Sequence, residues 1–349
     1  MNNKLLKFDI ITKTITFLLF VILLVITASA KNGEKNIYPG KVWLDSTGNP
    51  INAHGGGVLF HGGIYYWFGE NKDFKNWRIE KMVEGLTYEV NAGGVNCYTS
   101  SNLIDWTYEG LALAPDTTNI LHDLHESKVL ERPKVIYNES TKKFVMWLHV
   151  DSRDYSYSHA GVAIADKPQG PYTYIGSMRP NGQMSRDMTL FKDDNGKAYH
   201  IYSSEVNKTL HISLLSDDYL RPSGFYTRNF INKYREAPAV FKRKNKYYLI
   251  SSGCTGWNPN QAQYAMADSM LGQWVVMGDT CVNDTLGTTF NTQSTFVLPV
   301  QGKKGKYIYM SDRWNKTDLP DSRYVWLPLN FINNKVQIEW KDSWNPSKN

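Results

Sequence analysis

One short pattern recurs five times along this chain. It has a polar residue, an apolar residue four places on, a polar turn, and then a second strand rich in aromatic and branched residues. The clearest copy runs from Arg235-Glu236-Ala237-Pro238-Ala239-Val240-Phe241 through Lys242-Arg243-Lys244-Asn245-Lys246 to Tyr247-Tyr248-Leu249-Ile250-Ser251-Ser252-Gly253. In the other copies His54 precedes Val58, Glu131 precedes Val135, Asp187 precedes Phe191 and Gln293 precedes Val297. The five lead residues are 77, 56, 49 and 57 positions apart, an approximate period that only a repeat architecture produces.

A second, more polar pair of short segments follows each hairpin. These are Val95–Thr99 with Asp105–Tyr108, Gly161–Ala165 with Gly170–Tyr174, Leu210–Ile212 with Ser216–Leu220, Tyr264–Ala267 with Gly272–Trp274, and Val325–Leu329 with Lys335–Trp340. Four-stranded units repeated five times predict an all-β chain folded as a five-bladed β-propeller. The first strand of each blade runs beside the axis, so residues of one phase meet at one end of the channel. His54, Glu131, Asp187, Glu236 and Gln293 are therefore expected to face one another.

Ahead of the repeats, residues 1–30 read as a signal peptide. Lys4, Lys7 and Lys13 precede the apolar run Ile15 to Thr27 and then Ala28-Ser29-Ala30, so cleavage is expected after Ala30, with a secreted or periplasmic product. The run is shorter than the roughly 20 residues of a membrane span, so no stable membrane insertion is expected once it is removed. Residues 31–349 are expected to form a single propeller domain and a monomer, because the repeats leave no linker. Losing Lys4, Lys7, Lys13 and Asp9 takes the net charge from +6 to +4, and no basic cluster remains that would suit a nucleic acid. Cys97, Cys254 and Cys281 are an odd number without metal spacing; they can form one disulfide at most and read as small buried hydrophobes.

Three of the converging groups, Glu131, Asp187 and Glu236, are carboxylates. Like charges in one partly dry site cannot all stay ionised, so one becomes a proton donor near neutrality. Two carboxyl groups flanking a glycosidic bond are what its hydrolysis requires. Aromatics make up 13% of the chain, and most must pack blades; Trp257, Trp314 and either Tyr155 or Tyr157 are expected near the converging groups, where they could stack on sugar rings. The chain therefore points to a glycosidase acting on a polysaccharide or oligosaccharide.

Glu70 and Glu205 end the second strands of their hairpins and are expected as sugar-binding groups at the pocket rim. His54 beside Gly55-Gly56-Gly57 either fills the channel or helps hold an ion or water there. The segment from Leu111 to Leu130, with His122, Asp123 and His125, has no repeat counterpart and is expected to wall the pocket. No metal site is demanded by spacing and no organic cofactor is implied, although a structural Ca²⁺ or a water cluster could occupy a polar channel. A catalytically inactive sugar-binding propeller and a protein-interaction scaffold stay open as other readings. The acid pair weighs against the first and the carboxylate convergence against the second.

Arg186-Asp187-Met188-Thr189-Leu190-Phe191 with Asp193-Asp194-Asn195-Gly196, and Glu236-Ala237-Pro238-Ala239-Val240-Phe241, resemble the third- and fourth-blade motifs of glycoside hydrolase family 43. Asn52-Ala53-His54-Gly55-Gly56-Gly57, Glu131-Arg132-Pro133-Lys134, Thr255-Gly256-Trp257-Asn258-Pro259-Asn260 and Gln293-Ser294-Thr295 are similar to the subgroup containing exo-β-1,3-galactanases. The resemblance implies a five-bladed propeller and an inverting mechanism, with Glu236 as general acid and Asp187 orienting it and raising its pKa. It also implies exo-acting release of galactose from β-1,3-galactan; other branches of the family cleave arabinofuranosides and xylosides. Most of the family carries an Asp as base on the innermost strand of the first blade, where this chain has Asn52-Ala53-His54. In the galactanase subgroup the glutamine matching Gln293 is thought to act on the water, but an amide is a poor base. A water-positioning role is therefore expected for Gln293. Substrate binding is expected for Glu131, Tyr155, Asn207, Thr255, Trp257 and Trp314, together with Glu70, Glu205 and His54.

Overall fold

The computed structural model describes residues 35–72 and 91–348, and in it the repeat becomes five sheets. Blade 1 holds β1 (His54–His61), β2 (Ile64–Glu70), β3 (Val95–Ser100) and β4 (Thr107–Leu113). Blade 2 holds β5 (Val129–Asn138), β6 (Lys143–Asp151), β7 (His159–Ala165) and β8 (Thr173–Met178). Blade 3 holds β9 (Met188–Lys192), β10 (Ala198–Ser204), β11 (Thr209–Leu215) and β12 (Pro222–Asn229). Blade 4 holds β13 (Arg235–Arg243), β14 (Lys246–Gly253), β15 (Gln263–Ala267) and β16 (Val275–Asp279). Blade 5 holds β17 (Cys281–Val282), β18 (Gln293–Pro299), β19 (Tyr307–Arg313), β20 (Arg323–Ile332) and β21 (Lys335–Glu339). Each blade is an antiparallel meander, and β1, β5, β9, β13 and β18 lie side by side around the axis. From Ile37 onward the chain is one compact unit; the leader and its expected cleavage site lie outside the described residues.

Two outermost strands differ from their expected positions. Ser216–Leu220 is a turn, in which Asp218 accepts from the Ser216 hydroxyl and from the Leu220 N–H, and the strand follows at Pro222–Asn229. Gly272–Trp274 is likewise the approach to Val275–Asp279, with Trp274 buried and its indole N–H donating to the Met270 carbonyl at 3.2 Å. Blade 5 also gains a fifth strand, because Cys281–Val282 pairs in parallel with Ile338 and Glu339.

The two ends of the chain close the ring. Ile37 bridges to Trp344, and the Tyr324 hydroxyl accepts from the Ala53 N–H at 2.7 Å while donating to the Ile51 carbonyl at 3.0 Å. Trp67, Trp106 and Trp326 fill this seam, with Trp67 4.6 Å from Trp326 and 5.2 Å from Trp106 between ring centres. Indole rings meeting at an angle in this way bury large apolar areas and add an edge-to-face attraction.

What positions the site is a bulge at the start of the innermost strands. After His54, Glu131 and Glu236 one extra residue is inserted opposite the second strand, as the registers His54↔Glu70 then Gly57↔Phe68, Glu131↔His149 then Lys134↔Trp147, and Glu236↔Ser252 then Ala239↔Ile250 show. The residue following each lead, Gly55, Arg132 and Ala237, sits in the left-handed region with φ of 60°, 55° and 50°. That conformation takes its N–H out of the ladder, and a carboxylate of the preceding blade accepts it. Asp312 holds Gly55 at 2.6 Å, Glu70 holds Arg132 at 2.8 Å and Asp187 holds Ala237 at 3.1 Å.

The bulge in blade 1 also needs glycine on the facing strand, since a Cβ on Gly69 would lie 2.0 Å from the Ala53 carbonyl carbon. Gly69→Ala should therefore cost about 3 kcal/mol or more in chemical unfolding. Gly62→Ala, at a hairpin turn with open space around it, should cost only about 1 kcal/mol for its positive φ. Equal losses in the two variants would show that close approach at Gly69 is not what the strand pairing depends on.

Candidate active site

All five blades supply the wall of a cavity of about 520 Å³ at one end of the axis, with Glu70, Glu131, Asp187, Glu236 and Gln293 among its lining. Four of the five lead residues thus meet there. His54 does not reach the wall. It is fully buried beneath it, stacked on Tyr324 at 4.8 Å between ring centres, and burial drives its pKa down to about 3, so it is a neutral packing group. That corrects the expectation of a substrate-binding His54.

Glu236 is the acid of the cavity wall held in a protonatable state. Burial above all, and then the charge of Asp187, raise its pKa to about 7. Its Oε1 accepts from the Asn207 amide at 2.6 Å and from the Cys254 thiol at 3.1 Å. Asp187 has a different environment, because its Oδ2 lies 3.0 Å from an Arg132 guanidinium nitrogen and accepts the Ala237 N–H. Two carboxyl groups on adjacent blades are thus placed so that one carries a proton and the other a guanidinium partner.

Arg132 is the hub of this arrangement. It is buried, and besides Asp187 its guanidinium donates to the Gln293 side-chain oxygen at 2.5 Å and to the Ser294 carbonyl at 3.0 Å. Trp314 donates its indole N–H to the same Gln293 oxygen at 3.0 Å, while the Gln293 amide nitrogen donates to the Ser252 hydroxyl at 3.1 Å. The amide oxygen of Gln293 is therefore fully occupied.

Opposite, Glu131 is held as a carboxylate. Burial alone would raise its pKa, but the hydrogen bond and charge of His149 overcome that and bring it down to about 2. His149 lies between Glu131 at 3.1 Å and Asp151 at 2.8 Å, and against the cost of burial these two acids raise its pKa to about 9. The Tyr155 hydroxyl donates to the other Glu131 oxygen at 2.9 Å. Ligand atoms of Glu131, His149 and Asp187 lie within 4.8 Å of one another, yet a protonated imidazole has no lone pair for a metal ion. In the channel below, the Lys134 side-chain nitrogen donates to the Gly55 carbonyl at 2.8 Å.

The remaining expected residues divide. Asn207, Tyr155, Thr255, Trp257 and Trp314 line the cavity, with Trp257 and Trp314 edge to face at 5.3 Å. Tyr157 does not line it; its hydroxyl bonds Ser177. Glu70 lines the cavity as a buried ion pair with Lys72 and an acceptor for Arg132, not as an exposed rim group. Glu205 is outside the lining, where Arg228 grips both its oxygens and His211 and Thr209 complete its partners. The segment from Leu111 to Leu130, expected to wall the pocket, gives no residue to the cavity wall; Asp123 bonds Tyr174 and Leu124 joins the core of blades 1 and 2. All three cysteines are free thiols, and Cys254 lies exposed on the cavity wall, contrary to a buried or bridged role. Arg132, Cys254, Asp312 and the His149–Asp151 pair carry no signal in one strand's pattern, since their roles arise between strands, and for Arg132 and Asp312 between blades.

The sign of one pH effect follows from His149. Its pKa is raised from 6.5 to about 9 in the folded chain, so its contribution to stability is complete below about pH 6.5 and is lost as pH rises through about 9. His149→Gln should lose about 3 kcal/mol at pH 6 and progressively less toward pH 9.5 in thermal or urea unfolding. A difference that stays flat over that range would exclude the buried imidazolium.

The profile of the family described as "Glycosyl hydrolases family 43" matches residues 53–310. No curated protein sequence matches the chain. Among solved structures, a family-43 β-1,3-galactosidase in complex with galactodeoxynojirimycin is 44% identical, covers 88% of this chain and 100% of its own, and superposes with a TM-score of 0.81. An exo-β-1,3-galactanase from Phanerochaete chrysosporium, solved with β-1,3-galactotriose, is 36% identical over 89% of this chain and 68% of its own, with a TM-score of 0.80. An exo-β-1,3-galactanase from Clostridium thermocellum is 39% identical over 88% of this chain and 66% of its own, with a TM-score of 0.77. The propeller with its paired carboxyl groups is a glycosidase fold, and the chain belongs to glycoside hydrolase family 43.

Proposed function

We propose that this enzyme is exported and removes galactose from the end of β-1,3-linked galactan with inversion at the anomeric carbon. The observation that carries the reading is the state of Glu236: a carboxyl group with a pKa of about 7, in a cavity walled by five blades, beside an Asp187 paired with Arg132. A neutral acid there can protonate the departing glycosidic oxygen. A wall supplied from every side makes a pocket that admits a chain end, not a cleft open at both ends, which supports exo action.

Asp187 orients Glu236 and keeps its proton on. Glu131, locked as a carboxylate by His149 and Tyr155, accepts sugar hydroxyls, and Trp257 and Trp314 offer apolar faces to the ring. Gln293 positions the attacking water. Arg132 and Trp314 both donate into its oxygen, so an imidic tautomer, which would need a hydrogen on that oxygen, is opposed. What the amide offers the water is the N–H not given to Ser252. Galactan and the exo mode come from the similar enzymes, whose own substrates their structures name.

The test is hydrolysis of β-1,3-galactan with product anomers followed by NMR. Galactose should appear first as the inverted anomer, and Glu236→Gln should reduce the rate by about 10²–10⁴-fold. No galactose from the wild-type chain, with activity on aryl arabinofuranosides or xylosides instead, would overturn the substrate. Because Glu236 must be protonated to act, kcat/KM should fall as pH rises above about 7. Trp257→Ala should raise KM by about tenfold, the equivalent of 1.4 kcal/mol of ring contact; an unchanged KM would remove Trp257 from the substrate wall.

A further inference from the structure

Glu236 is gripped on one oxygen only. Among the described residues, Oε1 takes both hydrogen bonds that its carboxyl group makes, from the Asn207 amide at 2.6 Å and the Cys254 thiol at 3.1 Å. The two donors also touch each other, with 3.6 Å between the Asn207 nitrogen and the Cys254 sulfur. Asn207 lines the cavity and is itself nine-tenths buried, and its side-chain oxygen is buried without a partner.

We infer that Cys254 is a positioning residue for the reaction: together with Asn207 it occupies Oε1 of Glu236, which places the transferable proton on Oε2, facing the substrate. An acid loaded with donors on one oxygen can carry its own hydrogen only on the other. The thiol can do this at any working pH, because burial and the nearby Glu236 raise its pKa to about 11 and keep it an S–H donor. A donor to the carboxylate also favours the ionised form, so Cys254 trims the pKa that burial raises. The other charged groups facing Glu236 are Asp187, Arg132 and Glu131 from other blades and Arg235 on its own strand. None of them bonds the Glu236 carboxyl group.

The inference rests on Glu236 being the general acid, so Glu236→Gln is measured in parallel with Cys254→Ala and Cys254→Ser, each as a pH profile of kcat/KM and kcat on β-1,3-galactan. In Cys254→Ala the alkaline limb should move up by about half a pH unit, about a threefold change in the ionisation constant. At the same time kcat should fall about three- to tenfold with KM little changed. Cys254→Ser keeps a donor and should lie closer to wild type in both respects. Alkaline limbs unchanged in both variants, or shifted equally in both, would overturn the positioning role, the second outcome assigning the thiol to packing alone. Cys254 is exposed, so the fold does not depend on it; equal melting temperatures would verify this. If Glu236→Gln keeps the wild-type rate, the acid assignment fails, whatever the cysteine variants do.

Discussion

The backbone N–H groups freed by the bulges decide how the blades meet. Propeller blades pack mainly through apolar side chains, which set distance but little angular precision. Here Gly55, Arg132 and Ala237 each turn one N–H out of the ladder toward a carboxylate of the preceding blade. A charge-assisted bond between blades is directional, and it must form for the N–H to be satisfied. Arg132 and Ala237 accept a left-handed backbone to do so, at roughly 1–2 kcal/mol each, a strain that only an over-determined surrounding sustains. Two of the groups that fasten the ring, Glu70 and Asp187, also line the cavity, so fold and site cannot be separated there.

This coupling explains the distribution of charge. Glu70 has Lys72, Asp187 has Arg132, and Glu131 shares the imidazolium of His149 with Asp151. Each of these acids has a cation within ion-pair distance; at Glu131 the imidazolium overcomes burial, whereas at Glu70 burial still raises the pKa. Glu236 receives only neutral donors, Asn207 and Cys254. Burial also holds a proton on Asp312, and on the cavity wall Glu236 is the acid without a cation and keeps its own. Its role follows from that exclusion more than from any special feature of its own.

The period of the repeat was legible because each innermost strand needs a polar lead where it meets the cavity and an apolar residue four places on where it meets the core. That phase located Glu131, Asp187, Glu236 and Gln293 on the wall. It misplaced His54, since the segment before it turns under Tyr324 instead of opening on the cavity. It misjudged Glu205 for a reason of register. Glu70 pairs directly with its lead His54, whereas the residue opposite Asp187 is Ser203, and Glu205 lies two places further, in a left-handed turn that aims it at Arg228 on its own blade. The outer strands of blades 3 and 4 were displaced because Tyr219 and Trp274 look like strand residues but are buried anchors of turns. Contacts between blades, such as Arg132 to Gln293, leave no mark in either strand alone.

The first blade shows what those contacts allow. In place of an acidic base at the start of β1 it has Ala53-His54 and then Gly55, and a Cβ on Gly55 would lie 2.0 Å from a Glu70 oxygen. A carboxylate side chain at Gly55 would therefore displace Glu70 from the Arg132 N–H and loosen the seam between blades 1 and 2. Glu70, supplied by β2 and neutralised by Lys72, fills the space toward the cavity that a β1 acid would need. In the proposed reaction, water activation would then come from groups on other blades. Gln293 is the one whose orientation is fixed from both sides, by Arg132 and Trp314 at its oxygen and Ser252 at its nitrogen. An amide so held cannot take the proton efficiently, but it can fix the direction of attack, and in a displacement with inversion direction is a large part of the barrier.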